Sequence, residues 1–205
     1  MNKLPIFYPI VPNLEWVKKI VPLGVKIIQL RMKNSSHQDI RVSIQESLKI
    51  TRAYDCRLVV NDYWETALET GAEYVHLGQE DLAFSDQSLL RRAGIKVGIS
   101  THSKEELEIA LKVNPFYVAL GPIFETKLKI MKWPPQGLNR IREWRERIGS
   151  LPLVAIGGLT PEKAHDIVLA GADSLAVITD FMTAKDPLQR VKNWLKTTNL
   201  KQGRI

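Results

Sequence analysis

Asp62 and Asp81 each follow a short apolar run, RLVVN (57–61) and YVHLG (74–78), and their carboxylates are the side chains best suited to share a cation. Oxygen donors with no cysteine or paired histidine nearby favour a hard ion, Mg2+ ahead of Ca2+ or Zn2+. Mg2+ keeps several waters and completes its shell with phosphate oxygens. Arg31 and Lys33 follow the run VKIIQL (25–30), and Lys129 lies in the stretch GPIFETKLK (121–129). Cations beside a metal-binding carboxylate pair make chemical sense when a polyphosphate bridges them. Gly157-Gly158, the helix start at Thr160 and the turn after SLAVIT (174–179) offer backbone N–H groups to a second, single phosphate. Glu80, between Gln79 and Asp81, is either solvated or a ligand through water. This pattern predicts a site for a phosphorylated acceptor and a pyrophosphorylated donor.

These residues need a frame that gathers them, and the chain supplies an alternation. Eight apolar or β-branched runs, beginning with IFYPIV (6–11) and ending with SLAVIT, are each followed by a stretch with helical apolar spacing. Several of those stretches end in glycine, a helix stop. Asp62, Ser103, Thr160 and Asp186 stand where N-caps would. Eight alternating units require parallel pairing and right-handed crossovers, and they close into a single (β/α)8 barrel spanning residues 1–205. A doubly wound open sheet is the alternative, but the first run leads into VPNLEW and not into a glycine-rich turn. In a barrel the chemistry sits on the loops after the strands. Nearly every run here ends in a polar group or glycine pair at that rim: Gln29 to Lys33, Asn61-Asp62, Gln79 to Asp81, Ser100, the 121–129 stretch, Gly157-Gly158 and Thr179.

With 205 residues the chain can bury a substantial core. Its net charge of +7 raises a nucleic-acid reading. The basic excess, however, lies in RIREWRER (140–147), in KLKIMK (127–132) and in KNWLKTTNLKQGR (192–204), expected to be a helix face, a loop and a fraying basic tail from about 198. No aromatic-basic RNA motif, helix-turn-helix or zinc finger is visible, and phosphorylated small molecules account for the charge without nucleic acid. No apolar run reaches the length that spans a bilayer, and the single cysteine, Cys56, excludes an internal disulfide; both predict a cytoplasmic protein. A homo-oligomer is left open.

Other chemically capable residues have plainer expected roles. His76, flanked by apolar residues on a strand, reads as a satisfied barrel-core histidine. His102 reads as part of a helix entry, and His37 and His165 as helical surface residues. Cys56 precedes a strand at the opposite end and reads as inert. Trp133 reads either as a residue shielding the site or as an exposed loop aromatic.

Taken together, IIQLRMKN (27–34), LVVNDYWETALETGAEYVHLGQEDL (58–82), VGISTHSKEEL (97–107), YVALGPIF (117–124), LVAIGGLTPEKA (153–164) and AGADSLAVIT (170–179) resemble the thiamine phosphate synthase family over nearly the whole chain. The resemblance implies transfer of the pyrimidine group of 4-amino-2-methyl-5-hydroxymethylpyrimidine diphosphate to the nitrogen of a thiazole phosphate, with release of pyrophosphate. It implies a dissociative reaction assisted by Mg2+ on Asp62 and Asp81. Arg31, Lys33, Asn61 and Lys129 would hold the diphosphate, and Gln29 and Ser100 would face the pyrimidine. Thr126, Gly158, Ile178 and Thr179 would hold the thiazole phosphate. Of these, Arg31, Lys33, Lys129 and Ser100 are the expected catalytic set.

The chain also departs from that family. The loop usually reads Pro-Thr-x-Thr-Lys and here reads Glu125-Thr126-Lys127-Leu128-Lys129, so a second hydroxyl is missing; Thr179 stands where serine is common. These departures keep two alternatives open. One is a thiazole tautomerase-like enzyme, against which stand Pro122, where that enzyme has histidine, and the intact carboxylates. The other is a ligand-binding or regulatory paralogue without turnover.

Overall fold

The computed structural model describes residues 3–126 and 133–202. Eight parallel strands close into a barrel in sequence order: β1 (Phe7–Val11), β2 (Ile27–Leu30), β3 (Arg57–Asn61), β4 (Tyr74–Leu77), β5 (Lys96–Thr101), β6 (Tyr117–Leu120), β7 (Leu153–Ile156) and β8 (Ser174–Val177). The closing pair is β1 with β8, where Tyr8 lies opposite Ala176, so an open doubly wound sheet is excluded. Outside the strands run α1 (Leu14–Ile20), α2 (His37–Ala53), α3 (Trp64–Thr70), α4 (Gln79–Phe84), α5 (Gln87–Arg92), α6 (Lys104–Lys112), α7 (Gly137–Ile148), α8 (Ala164–Leu169), α9 (Thr179–Met182) and α10 (Pro187–Gln202). Short 3-10 turns precede β2 and α8.

Side-chain alternation along the strands sorts the core into two layers. Tyr8, Ile10, Ile27, Val59, Tyr117, Ala119, Val154 and Ala176 pack with one another inside the barrel. The intervening residues, such as Phe7, Ile28, Val60, Leu77 and Val118, join the helices in the larger outer layer. α7 shows how a highly charged sequence still docks: Ile141, Trp144 and Ile148 recur at helical spacing and are buried, while its arginines stay half-buried or exposed. The Trp144 indole N–H donates to Thr101 Oγ1 at 2.9 Å, which removes the cost of burying it.

Two expectations are corrected. The tail expected from about 198 continues α10 as far as Gln202; earlier in that helix Trp194 is buried and stacks on Phe7 with ring centroids 5.3 Å apart. β4 stops at Leu77, and Gln79, Glu80 and Asp81 form the first turn of α4 rather than a strand end. Carboxylates are favourable at a helix N-terminus, which explains the tolerance of two adjacent acids there.

Candidate functional site

The carboxylate end is built from the turns after β3 and β4. Asp62 adopts a left-handed backbone (φ 65°), one of the residue types that tolerates it. Its amide donates to His76 O at 2.9 Å, fixing the turn to β4. Because of this turn Asp62 does not cap α3: the N-cap is Tyr63, which makes no side-chain cap bond, while the Asp62 carboxylate accepts from Lys33 Nζ at 2.7 Å. The capping role that the position also suggested is therefore not filled by Asp62. It is filled by Ser103, which accepts from the Glu106 amide, and by Asp186, which accepts from Gln189. Thr160 precedes the 3-10 turn without a side-chain cap bond.

Asp81 faces Asp62, as the sequence implied. Partial burial, the Asp62 charge and a hydrogen bond with Asp62 raise the Asp81 pKa, opposed by Lys33. Two carboxylates that face each other repel, and a cation between them would relieve that repulsion. Among the described residues no group of three or more His, Cys, Asp or Glu side chains could hold a metal. A two-carboxylate, all-oxygen set suits Mg2+, which takes its remaining ligands from water and phosphate, better than an ion needing a full protein cage. Glu80 is exposed.

Asn61, the last residue of β3, lies beside His76 in register and is 4% exposed, yet its Nδ2 has no hydrogen-bond partner among the described residues. A buried amide donor left unpaired in the protein is a position for a ligand acceptor. Arg31 follows β2, half-buried, and Lys33 is exposed apart from its bond to Asp62. Tyr63 Oη donates to Met32 O at 3.2 Å, which ties the Arg31–Lys33 segment to the Asp62 turn. Lys129 and Leu128 lie outside the described residues, as do the other positions from 127 to 132.

On the opposite side of the mouth, the turns after β6 and β7 are laced together: the Ile123 amide donates to Ile156 O and the Phe124 amide to Gly157 O. Gly157 and Gly158 have φ of 99° and 65°. A Cβ at Gly157 would lie 2.7 Å from Pro122 Cα, and one at Gly158 would lie 2.8 Å from Phe124 Cβ, so only glycine permits this approach. Thr126 is half-buried beside this turn in sequence order. β8 ends at Val177; Ile178 is the residue before α9, and Thr179 opens that helix. Arg190 from α10 bonds to Asp180 of α9 and to Glu162 of the turn after β7, at 2.8 to 3.2 Å, and so fastens the turns after β7 and β8 to each other. That guanidinium holds the Glu162 pKa down at about 2.

The barrel floor beneath the mouth holds residues that sequence reasoning missed. Gln29 Nε2 donates to Tyr8 Oη at 3.0 Å, Tyr8 Oη lies 3.0 Å from Tyr117 Oη, and Tyr117 Oη lies 2.9 Å from His76 Nδ1. His76 Nε2 is in turn 2.8 Å from Ser100 Oγ. Burial pushes the His76 pKa down to about 4, reinforced by Arg31 and opposed by the Asp62 charge, so the ring is neutral at ordinary pH. Burial likewise raises both tyrosines. The missed signal was tyrosine at inward positions of two apolar strands, where a core phenylalanine would suffice. His76 is indeed a hydrogen-bonded core histidine, but its partner Ser100 is a candidate site residue.

The chain matches the family model described as thiamine monophosphate synthase over residues 7–181. It belongs to that family. It is 48% identical to a thiamine-phosphate synthase of Rhizobium etli, over 96% of each chain. It is 40% identical to one of Enterobacter sp. strain 638, over 87% of this chain and 85% of that one. A thiamine phosphate pyrophosphorylase structure from Pyrococcus furiosus superposes with a TM-score of 0.83 at 28% identity, covering 96% of both chains. The family is one of transferases, and the mouth of this barrel is the place its chemistry would occupy.

The remaining candidates have other partners. His102 joins the start of α6: its amide donates to Glu106 Oε2 at 2.6 Å and its Nδ1 lies 2.8 Å from the same oxygen. Trp133 stacks on the His102 ring at 6.1 Å, so it is no loose loop aromatic. The Cys56 thiol is buried, and burial pushes its pKa up to about 12, which makes it inert. Among the described residues no helix is long and apolar enough to cross a membrane.

Proposed function

We propose that the protein joins 4-amino-2-methyl-5-hydroxymethylpyrimidine diphosphate to a thiazole phosphate at the C-terminal mouth of the barrel, giving thiamine phosphate and pyrophosphate. The observation that supports this most is the convergence of Asp62, Asp81 and Lys33 next to the unpaired buried donor of Asn61. A diphosphate answers every one of these groups. Its oxygens accept from Asn61 Nδ2, Lys33 and Arg31, and Lys129 adds a further cation. Mg2+ held by Asp62 and Asp81 would supply charge neutralisation for the leaving diphosphate.

In this reading the bond from the pyrimidine methylene carbon to the diphosphate oxygen breaks first, and its electron pair leaves on the oxygen. The thiazole nitrogen then donates its lone pair to the resulting carbocation. The protein's work is positioning and charge stabilisation, with no general base. Gln29 and Ser100 orient the pyrimidine end. Gly158, Ile178 and Thr179, with Thr126, grip the thiazole phosphate through the two turns that Arg190 fastens together.

The test is a reaction of the purified protein with both phosphorylated precursors and Mg2+, resolved by mass spectrometry. Thiamine phosphate with equimolar pyrophosphate is expected. Binding of both precursors without coupled product would overturn the proposal in favour of a non-catalytic ligand-binding role.

A further inference from the structure

The five-residue chain from Gln29 to Ser100 crosses the barrel interior and has an end that lies at the mouth. Each link is a hydrogen bond of 2.8 to 3.0 Å between buried or half-buried groups. Such a chain has two possible polarities, and satisfying every proton selects one. Gln29 donates its amide N–H to Tyr8. The Tyr8 hydroxyl proton then has one acceptor among the described residues, the Tyr117 oxygen. Tyr117, having accepted, gives its own proton to His76 Nδ1. The neutral ring therefore carries its proton on Nε2 and donates it to Ser100 Oγ. Ser100 has accepted within the protein, and no described residue takes its hydroxyl proton.

We propose that Tyr8, Tyr117 and His76 are positioning residues that polarise Ser100 so that its O–H is presented as a donor to the diphosphate oxygen on which negative charge develops. The Ser100 part of this rests on the proposed function; the polarity of the chain does not. Three further features fit a built device. Gly98 faces Tyr117 across β5 and β6, and a Cβ there would fall inside the tyrosine ring, so glycine is required for the hydroxyl to reach the centre. The His76 and Tyr117 rings stack with centroids 5.7 Å apart, which holds both in one orientation. Gln79 Nε2 donates to the Ser100 carbonyl at 2.7 Å, which fixes the backbone of the serine itself. Aligned hydrogen bonds strengthen one another in a low-dielectric interior, and a hydroxyl at the end of such a chain is a better donor to an anion than an isolated serine.

Two measurements test this. Two-dimensional proton–nitrogen NMR of the histidine-labelled wild-type protein, with the His76 signals assigned by their loss in His76→Gln, reads the tautomer without any substrate. The proposal expects a proton on Nε2 and a bare Nδ1. A proton on Nδ1 would mean that the chain runs the other way, with Ser100 donating inward, and would overturn it. The second is a double-mutant cycle on kcat. Tyr117→Phe should lower kcat about tenfold in the wild-type background and should cost nothing further in Ser100→Ala. An equal loss in both backgrounds would show a merely structural role. Should Tyr117→Phe not fold, Tyr8→Phe takes its place in the cycle, and the wild-type tautomer remains decisive. A wild-type protein without coupling activity would overturn the proposed function while leaving the tautomer result standing, so the two failures are distinguishable.

Discussion

Acidification should destabilise this protein through His76 in particular, and the size of the effect follows from its surroundings. The ring is buried among Tyr117, Ser100 and the strands of the barrel, and its pKa falls from 6.5 to about 4, with desolvation as the largest cause. In the unfolded chain the same ring titrates at its ordinary value. Between those two pH values the unfolded chain binds a proton that the folded protein refuses, so stability rises with pH across the window. The contribution is complete above pH 6.5 and gone below pH 4. A shift of about 2.5 units corresponds to about 3 kcal/mol at 1.36 kcal/mol per unit. Urea unfolding of wild type and His76→Gln, from pH 7 to pH 4 in the presence of chelator, isolates it. Every other titrating group, including Asp81 with its shift in the opposite sense, is common to the two proteins and drops out of their difference. The variant should be the less stable one at neutral pH, and the gap should shrink by about 3 kcal/mol on going to pH 4. Parallel stability profiles across that range would refute the reasoning, because they would mean that His76 accepts a proton in the folded barrel as readily as in the unfolded chain.

Three substitutions probe the rest of the account. Asp81→Asn should leave the fold intact, by circular dichroism and thermal midpoint, and lower kcat on the order of a hundredfold or more, comparable to removing a charge-stabilising group from an active site. Gly98→Ala forces the Tyr117 ring from its place and should destabilise the barrel by about 3 kcal/mol or more in urea unfolding; an unchanged midpoint would mean the ring has room that the backbone spacing denies it. Arg190→Lys keeps the charge but loses the fork that joins Asp180 to Glu162. It should raise the KM for the thiazole phosphate about tenfold and leave the KM for the pyrimidine diphosphate unchanged, and equal rises in both would refute the assignment of those turns to one substrate.

The barrel was legible because each strand is an apolar run too short for a helix, and because the helices end in recognisable stops such as Gly71 after α3. The rim was legible for a different reason: polar residues follow the strands at one end and ordinary connections occupy the other. What the sequence concealed depends on register. Tyr8, Gln29, His76, Ser100 and Tyr117 sit on five different strands, and nothing local to any of them shows that the barrel's stagger brings their polar tips together. Asp62 was legible as a site carboxylate, from Asp81 after the next run, but the backbone that turns it there was not. An aspartate before Tyr-Trp-Glu looks like an N-cap, and only the left-handed turn, tied back to His76, swings its carboxylate to Lys33 instead. The first turn of α4 was misread because strand-like residues run into it without a break, and one glycine, Gly78, serves as the junction.

The central claim is that the two carboxylates at the mouth serve a cation that the coupling reaction needs. The most direct test follows thiamine phosphate and pyrophosphate together in one reaction while Mg2+ is raised from a chelated zero to saturation. The account predicts no product in chelator, and equal amounts of both products rising along one saturation curve as Mg2+ is restored. Full-rate coupling in chelator would contradict it.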